Sequence, residues 1–315
     1  MNWDTFQIIA DKIISYGHTE AVGFAGMGEP TLNPNLPRFI EYVKGRLATW
    51  ITTNASALTS RNIEKLIEGG LGTVIVSFNG ADATTYELMM GGLDFRRAQT
   101  HLQDLVQRAN GRMKVVANVS VTRQTEPHLT EIKHYLKELG VTEVIFSKCH
   151  NRGGHLKNPE VCMTPLLPAT VKRCDIFDGT LFVAWNGDVL ACCHDLDGVG
   201  RLGNLLTDSI SDLDQLKIAL RGKGAIFEMC VVCNDLYRFG GDQTPDGRPL
   251  SQWIYDLYAA ESESLAKLVD LLHQRESQVR EMEQRAAKAE KLVMAYEKGR
   301  FIRFMRGVRQ LLHPL

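Results

Sequence analysis

Cys174, Gly187, Cys192, Cys230 and Cys233 are spaced C-x12-G-x4-C, then C-x2-C. Four thiolates from two separate hairpin-like segments can close around one tetrahedral zinc ion or one [4Fe–4S] cube, and the spacing leaves both open. Cys192 and Cys193 are neighbours in an apparent strand over 180–193, so their side chains should point to opposite faces. Cys192 is the assigned ligand, because Cys174, Cys230 and Cys233 complete four without its neighbour. The chain has seven cysteines, an odd number, and four lie in two tight pairs. Metal ligation in a reducing compartment explains this better than a disulfide framework.

A second constellation is Gly26-Met27-Gly28-Glu29-Pro30, leading through Thr31-Leu32-Asn33-Pro34 toward a helix. Two glycines let a ligand approach the backbone, Glu29 offers an acceptor for an ammonium group, and Pro30 fixes the turn that aims it. Alone, Gly-Glu-Pro is an ordinary turn. Two further strand ends, Thr52-Thr53-Asn54 and Ser77-Phe78-Asn79-Gly80, add to it a polar rim above an apolar barrel, where α/β barrels carry their chemistry.

Other reactive residues rank lower. Cys149 reads as an inert buried thiol and Cys162 as a surface thiol. His150, His155 and His194 have no i, i+4 partner and no serine in a sensible context. Asp195 could accept a proton near a substrate, but Asp178, Asp188, Asp195 and Asp197 all lie in turn-rich sequence where Asp is common. Tyr237 and Arg238 are candidates for lining the site.

The elements that must position these groups change along the chain. Up to about residue 150 the pattern alternates between period 3.6 and short β-branched runs, the sign of βα units and a parallel sheet. Strands are expected at 21–26, 49–54, 73–79, 115–121 and 143–149, and helices at 4–16, 36–46, 61–68, 95–109 and 128–139. The first helix has no strand before it. The strand at 21–26 then becomes an exposed edge unless something covers it, so a first strand and its loop are expected to be missing from this sequence. From about 160 to 250 short strands, Asp/Gly turns and the cysteine pairs suggest a small metal-supported domain.

Beyond it, an a/d series from Leu265 to Tyr296 is apolar at nine of ten positions, with Arg275 the break. A coiled-coil hairpin or dimer fits this, as does a single helix packed on the body. Arg300, Arg303, Arg306 and Arg309 oppose an apolar arc of Phe301, Phe304, Met305, Val308, Leu311 and Leu312. Such a helix suits an anionic membrane surface, a partner, or its own protein.

Composition sets outer bounds. The 315 residues are 44% apolar and 23% charged, with 36 Lys+Arg against 37 Asp+Glu for a net charge of −1. Neither global disorder nor bulk attraction to nucleic acid is favoured. No apolar run approaches the roughly 18 residues of a spanning helix, and the start lacks the order of a signal peptide. The expected location is cytoplasmic, with peripheral contact at the inner membrane face an option for the arginine-rich tail.

Gly26 to Pro34, Thr52 to Asn54, Val76 to Asn79, Tyr86 and Gly91-Gly92-Leu93-Asp94-Phe95 resemble the core of radical S-adenosylmethionine (SAM) enzymes. The segment from Cys174 to Cys233 is similar to the SPASM (twitch-like) auxiliary-cluster domain of that superfamily, including Trp185-Asn186-Gly187-Asp188-Val189 and Leu202-Gly203-Asn204. The resemblance implies that Gly26, Gly28, Glu29 and Pro30 hold the methionine end of SAM and that Ser77 and Asn79 face the ribose. It places Asn118 and Ser120 near the nucleoside and the chain at 149–154 along the adenine. It also implies an auxiliary [4Fe–4S] cluster on Cys174, Cys192, Cys230 and Cys233. The family's primary cluster sits in a C-x3-C-x2-C loop after the first strand, and no three cysteines here show that spacing.

The expected architecture is therefore α/β. A radical-SAM-type partial (β/α) barrel lacking its first strand (1–158) precedes a small cysteine-rich SPASM domain (159–248) and a helical coiled coil with a basic amphipathic tail (249–315). The expected function is that of an oxidoreductase or maturase acting on a peptide or small polar metabolite, inactive as written because the primary cluster motif is missing. The alternatives are a non-catalytic iron–sulfur scaffold and a zinc module.

Overall fold

A computed structural model describes residues 1–156, 161, 174–221, 223 and 227–235. All lie in the first of the chain's two units, Met1–Glu261. Cys162, Tyr237, Arg238, the heptad series and the arginine-rich tail lie outside the described residues.

The first half runs α1 (Trp3–Tyr16), β1 (Ala21–Phe24), α2 (Leu36–Val43), β2 (Ala48–Thr53), α3 (Ser60–Gly69), β3 (Thr73–Ser77), α4 (Ala83–Met89), α5 (Phe95–Ala109), β4 (Lys114–Val121), α6 (Leu129–Glu138) and β5 (Glu143–Lys148). The five strands form one parallel sheet in the order β1-β2-β3-β4-β5. Each crossover returns beside its predecessor, as in a singly wound α/β sheet. All five expected strands are present, each within two residues of its expected ends. The sequence reading missed α4, a one-to-two-turn helix without an apolar stripe, started by the Asp82 carboxylate accepting from the Thr85 N–H at 3.0 Å.

Strand alternation sorts the two faces of the sheet. Ile51, Val74, Val76, Ala117, Val119 and Val121 are fully buried in the core that includes residues of α3, α5 and α6. The opposite face carries Thr52, Ser77, Asn118, Ser120 and Ser147, and the register pairs Ser77 with Asn118 and Ser120 with Ser147. A parallel strand buried on both faces would read as a continuous apolar run, so these polar positions mark the working face.

Among the described residues β1 is an edge strand, hydrogen-bonded to β2 alone. Its Val22 and Phe24 pack with Phe6 and Ala10 of α1 and with Phe39 and Val43 of α2. On its other face the Trp50 indole lies over Gly23, where an added Cβ would come within 2.1 Å of the ring. Gly23→Ala is accordingly expected to lower the unfolding free energy by about 1–3 kcal/mol, the usual range for overpacking. Gly23→Ala combined with Trp50→Ala should cost less than the sum of the two, measured by denaturant unfolding as a double-mutant cycle.

The second part contains α7 (Asp175–Gly179), β6 (Phe182–Val183), β7 (Asp188–Leu190), β8 (Gly203–Asn204), α8 (Ile210–Leu220) and α9 (Glu228–Val232). β6, β7 and β8 form a small antiparallel sheet. The single strand expected over 180–193 is in fact the β6–β7 hairpin, turned at Trp185-Asn186-Gly187, and it ends at Leu190.

α1 joins the two parts. While Phe6 and Ala10 face α2, Ile9 packs with Val189, Leu205 and Leu213 of the second part. Lys12 donates to the Leu205 and Asp208 carbonyls at 2.6 and 3.0 Å, and the Tyr16 hydroxyl donates to Asp214 at 2.9 Å. The helix that the sequence placed oddly, before any strand, is the spacer that seats the cysteine domain on the sheet.

Candidate functional site

The rim at the C-terminal ends of the strands is organised by Glu29. Its Oε1 accepts from the Thr53 hydroxyl at 2.6 Å and the Thr31 N–H at 3.1 Å, and from the Thr31 hydroxyl; Oε2 accepts from the Asn54 N–H at 2.7 Å. An ionised carboxylate has about four acceptor sites. Oε1 is crowded, and the remaining capacity is on Oε2. Glu29 therefore fastens β1's loop to the end of β2 while keeping one direction open to a donor. Gly26 and Gly28 have φ of +138° and +94°, values that require glycine, and nothing within 4 Å crowds Gly28. The backbone here is open to a ligand.

Asn79 is buried and its amide is used internally: Oδ1 accepts from the Ser120 N–H at 2.7 Å and Nδ2 donates to Met90 Sδ at 3.1 Å. It ties the end of β3 to β4. Asn118 Oδ1 accepts from the Ser147 hydroxyl at 2.7 Å, which leaves its amide nitrogen for the polar face. The structure thus brings Gly26 to Pro30, Ser77 and Asn118 to one end of the sheet, with Asn79 as a brace behind them.

The cysteines gather in the second part. Cys174, Cys192 and Cys230 pack on an apolar cluster of Phe177, Ala191 and Met229, and Cys233 is buried nearby. Burial pushes the Cys192 thiol up to about 12; the His194 N–H on its sulfur opposes this, and Cys193, Cys174 and Cys233 add to it. Soft donors that oppose one another's ionisation are a set that a multivalent metal centre satisfies, because it supplies the missing positive charge. The residues present fit a thiolate-bound metal or iron–sulfur group.

The reason given for choosing Cys192 over Cys193 needs correction. Both lie in a bend after β7, not in a strand. What separates them is hydrogen bonding: the His194 N–H donates to Cys192 Sγ at 3.4 Å, whereas Cys193 Sγ lies 3.8 Å from His194 Nδ1.

Between rim and thiols runs a buried polar junction that sequence reasoning missed. The Asn151 N–H donates to Asn234 Oδ1 at 2.7 Å, Asn151 Nδ2 to the Val232 carbonyl at 2.6 Å, and the Asn234 N–H to Asn151 Oδ1 at 3.3 Å. Beside them Asp235 Oδ2 lies 2.7 Å from His194 Nε2 and 3.4 Å from His150 Nε2. Burial works against a charge on His194, but the bonds to Asp235 and Cys193 outweigh it and raise its pKa to about 9. His150 is lowered to about 4 by burial, against the pull of Asp235 and with the help of His194 and Arg152.

These three groups are close enough to suggest a metal site. The Arg152 N–H, however, donates to His150 Nδ1 at 3.1 Å, which places the neutral ring's proton on Nε2, toward Asp235. The trio is a hydrogen-bonded clasp. No spacing could have revealed it, because its members come from the end of β5, the turn after β7 and the segment after α9. The His155 ring, by contrast, lies 3.9 Å from the exposed Asp197. Asp195 is buried; Oδ2 accepts from the Gly200 N–H at 2.9 Å, and Oδ1 has no partner among the described residues.

Residues 174–234 match the SPASM family, an iron–sulfur cluster-binding domain. The SPASM-matching segment follows a five-stranded parallel α/β sheet. Over 233 residues, 70% of its length, the chain is 23% identical to the tungsten-containing aldehyde ferredoxin oxidoreductase cofactor-modifying protein of Pyrococcus furiosus. It spans 60% of that relative. Among solved structures it is similar to anSMEcpe with bound AdoMet, with a TM-score of 0.54 at 15% identity over 87% of both chains. It is also similar to Streptococcus suis SuiB bound to precursor peptide SuiA, with a TM-score of 0.54 at 16% identity over 76% of this chain and 64% of that one. At such identities the likeness establishes the fold. The SPASM match covers all four assigned cysteines, Cys174, Cys192, Cys230 and Cys233. Among the described residues no helix is long and apolar enough to cross a membrane.

Proposed function

We propose that this chain is the body of a radical SAM/SPASM oxidoreductase or maturase that acts on a peptide. Cys174, Cys192, Cys230 and Cys233 hold an auxiliary [4Fe–4S] cluster, and SAM lies on the rim of Gly26, Gly28, Glu29, Pro30, Ser77 and Asn118. The observation that carries the reading is that Cys174, Cys192 and Cys230 pack on one apolar cluster inside the SPASM segment, with Cys174 and Cys233 opposing ionisation of Cys192. SAM held on this rim would supply hydrogen-abstraction chemistry only beside a primary cluster, whose C-x3-C-x2-C ligands the 315 residues do not contain. The chain's own residues orient: Glu29 turns Oε2 toward a donor, the open Gly28 backbone admits a ligand, and the polar sheet face receives the nucleoside.

A peptide substrate is favoured over a small metabolite because two structural neighbours, SuiB and anSMEcpe, carry peptides in their solved complexes. The 315 residues contain no C-x3-C-x2-C motif, so in this proposal the chain as written does not cleave SAM. Among the described residues β1 stands at the edge of the sheet, which supports a reading in which a further strand carrying that motif pairs there. The second reading, a non-catalytic cluster or zinc scaffold, rests on the same missing motif.

Anaerobic reconstitution with iron and sulfide tests the proposal. The expected product is brown, with about four iron per chain. A colourless protein holding only zinc defeats it. With SAM and dithionite the chain should form no 5′-deoxyadenosine. When a strand with C-x3-C-x2-C is added ahead of Met1 it should form that product, and continued absence would favour the scaffold.

A further inference from the structure

Lys217 of α8 is 4% exposed, although lysine is almost never fully buried without a partner. Its ammonium donates to the Thr180 carbonyl and sits 5.1 Å from the centre of the Phe177 ring. Phe177 belongs to the apolar cluster on which Cys174, Cys192 and Cys230 pack. Among the described residues no carboxylate forms an ion pair with Lys217, whereas its neighbour Arg221, at the end of α8, pairs with Asp178 at 3.7 Å. Burying an ammonium without a counter-ion is costly, so sites that keep one have an anion close by. The charges that favour the protonated Lys217 are, in order, those of Asp214, Asp178 and Cys174, the last belonging to the thiolate set packed against Phe177. Burial and Arg221 lower the lysine to about 8 against the pull of Asp214, Asp178 and Cys174, which leaves it mainly charged near neutral pH.

We propose that the Lys217 ammonium is a tuning residue for the auxiliary cluster, stabilising its reduced state and raising its reduction potential. Reduction adds one electron from an external one-electron donor and one negative charge to the cluster, and no ligand leaves. A fixed cation in a low-dielectric pocket favours the more negative state, and charge near the sulfurs is one of the controls on cluster potential.

This inference rests on the cluster reading, and the experiment separates the two. Wild-type protein, Lys217→Gln and Lys217→Met are reconstituted anaerobically and titrated with dithionite while the reduced cluster is followed by EPR. Glutamine keeps a donor for the Thr180 carbonyl and removes the charge. Methionine removes both at similar volume. If the wild type takes up no iron, the cluster reading fails. If it does, both variants should hold the same iron per chain and have midpoint potentials shifted to more negative values. Unchanged or more positive potentials overturn the proposal. So does a Gln variant that binds no iron, because Lys217 would then serve only to hold the Cys174 segment in place.

Discussion

Cys192→Ala is expected to leave the reconstituted protein with less than about one iron per chain in place of about four, and to remove the brown absorption. Cys192 sits among the other sulfurs: it is pressed by Cys174, Cys193 and Cys233 and receives the His194 N–H. The three remaining thiolates leave one iron of the cube without a cysteine ligand, which loosens its hold on the protein. Cys193→Ala should keep the iron, since that sulfur lies against the His194 ring. Iron and sulfide assays on the two variants decide between the neighbouring cysteines. Loss of iron in Cys193→Ala with retention in Cys192→Ala would reverse the assignment.

Asp235→Ala should be the most destabilising single change at the junction, at about 3–5 kcal/mol, the range for removing one partner of a buried ion pair. His194 would lose its 2.7 Å acceptor while still enclosed, and His150 would lose the same carboxylate. The pH dependence has a defined sign. The folded pKa of His194, about 9, stands above its ordinary 6.5, so its contribution is complete below about pH 6.5 and fades as pH rises through 9. The folded pKa of His150, about 4, lies below 6.5, so stability falls as pH drops from 6.5 toward 4 and the unfolded chain takes up the proton. Unfolding free energy should therefore peak near pH 6.5, with limbs approaching about 1.4 kcal/mol per unit on either side. In Asp235→Ala the alkaline limb should shrink, leaving only the part that Cys193 sustains. Urea unfolding at several pH values measures both effects, and a wild-type profile that is flat from pH 5 to 9 would refute the clasp.

The clasp also ties the polar rim to the cysteine domain. His150, Asn151 and Arg152 follow β5, and Arg152 Nη1 reaches Met27 Sδ at 3.2 Å, inside the glycine loop that carries Glu29. Asn234 and Asp235 follow the C-x2-C pair directly. Drawing Cys230 and Cys233 around a metal thus acts on segments bonded to the β5 rim.

The five strands, four of the flanking helices and α1 were legible in the sequence because each follows from short-range periodicity: alternation for a half-buried strand, and apolar residues every three or four positions for a helix. The cysteine pattern was legible for a related reason, since a hairpin and a C-x2-C turn set ligand spacing locally. The polar rim could be read too, because strands of a parallel sheet end on the same side whatever their register. What the tertiary structure alone decided was each partnership across distance. It turned Glu29 from an open acceptor into a fastening for Thr53 and Asn54, made Asn79 a brace, and split the strand through Cys193 into a hairpin. It also joined His150, His194 and Asp235, and buried Lys217 with no ion pair to a carboxylate among the described residues. A buried polar group needs a partner, and that partner is supplied by whichever segment packing brings there, which no local pattern records.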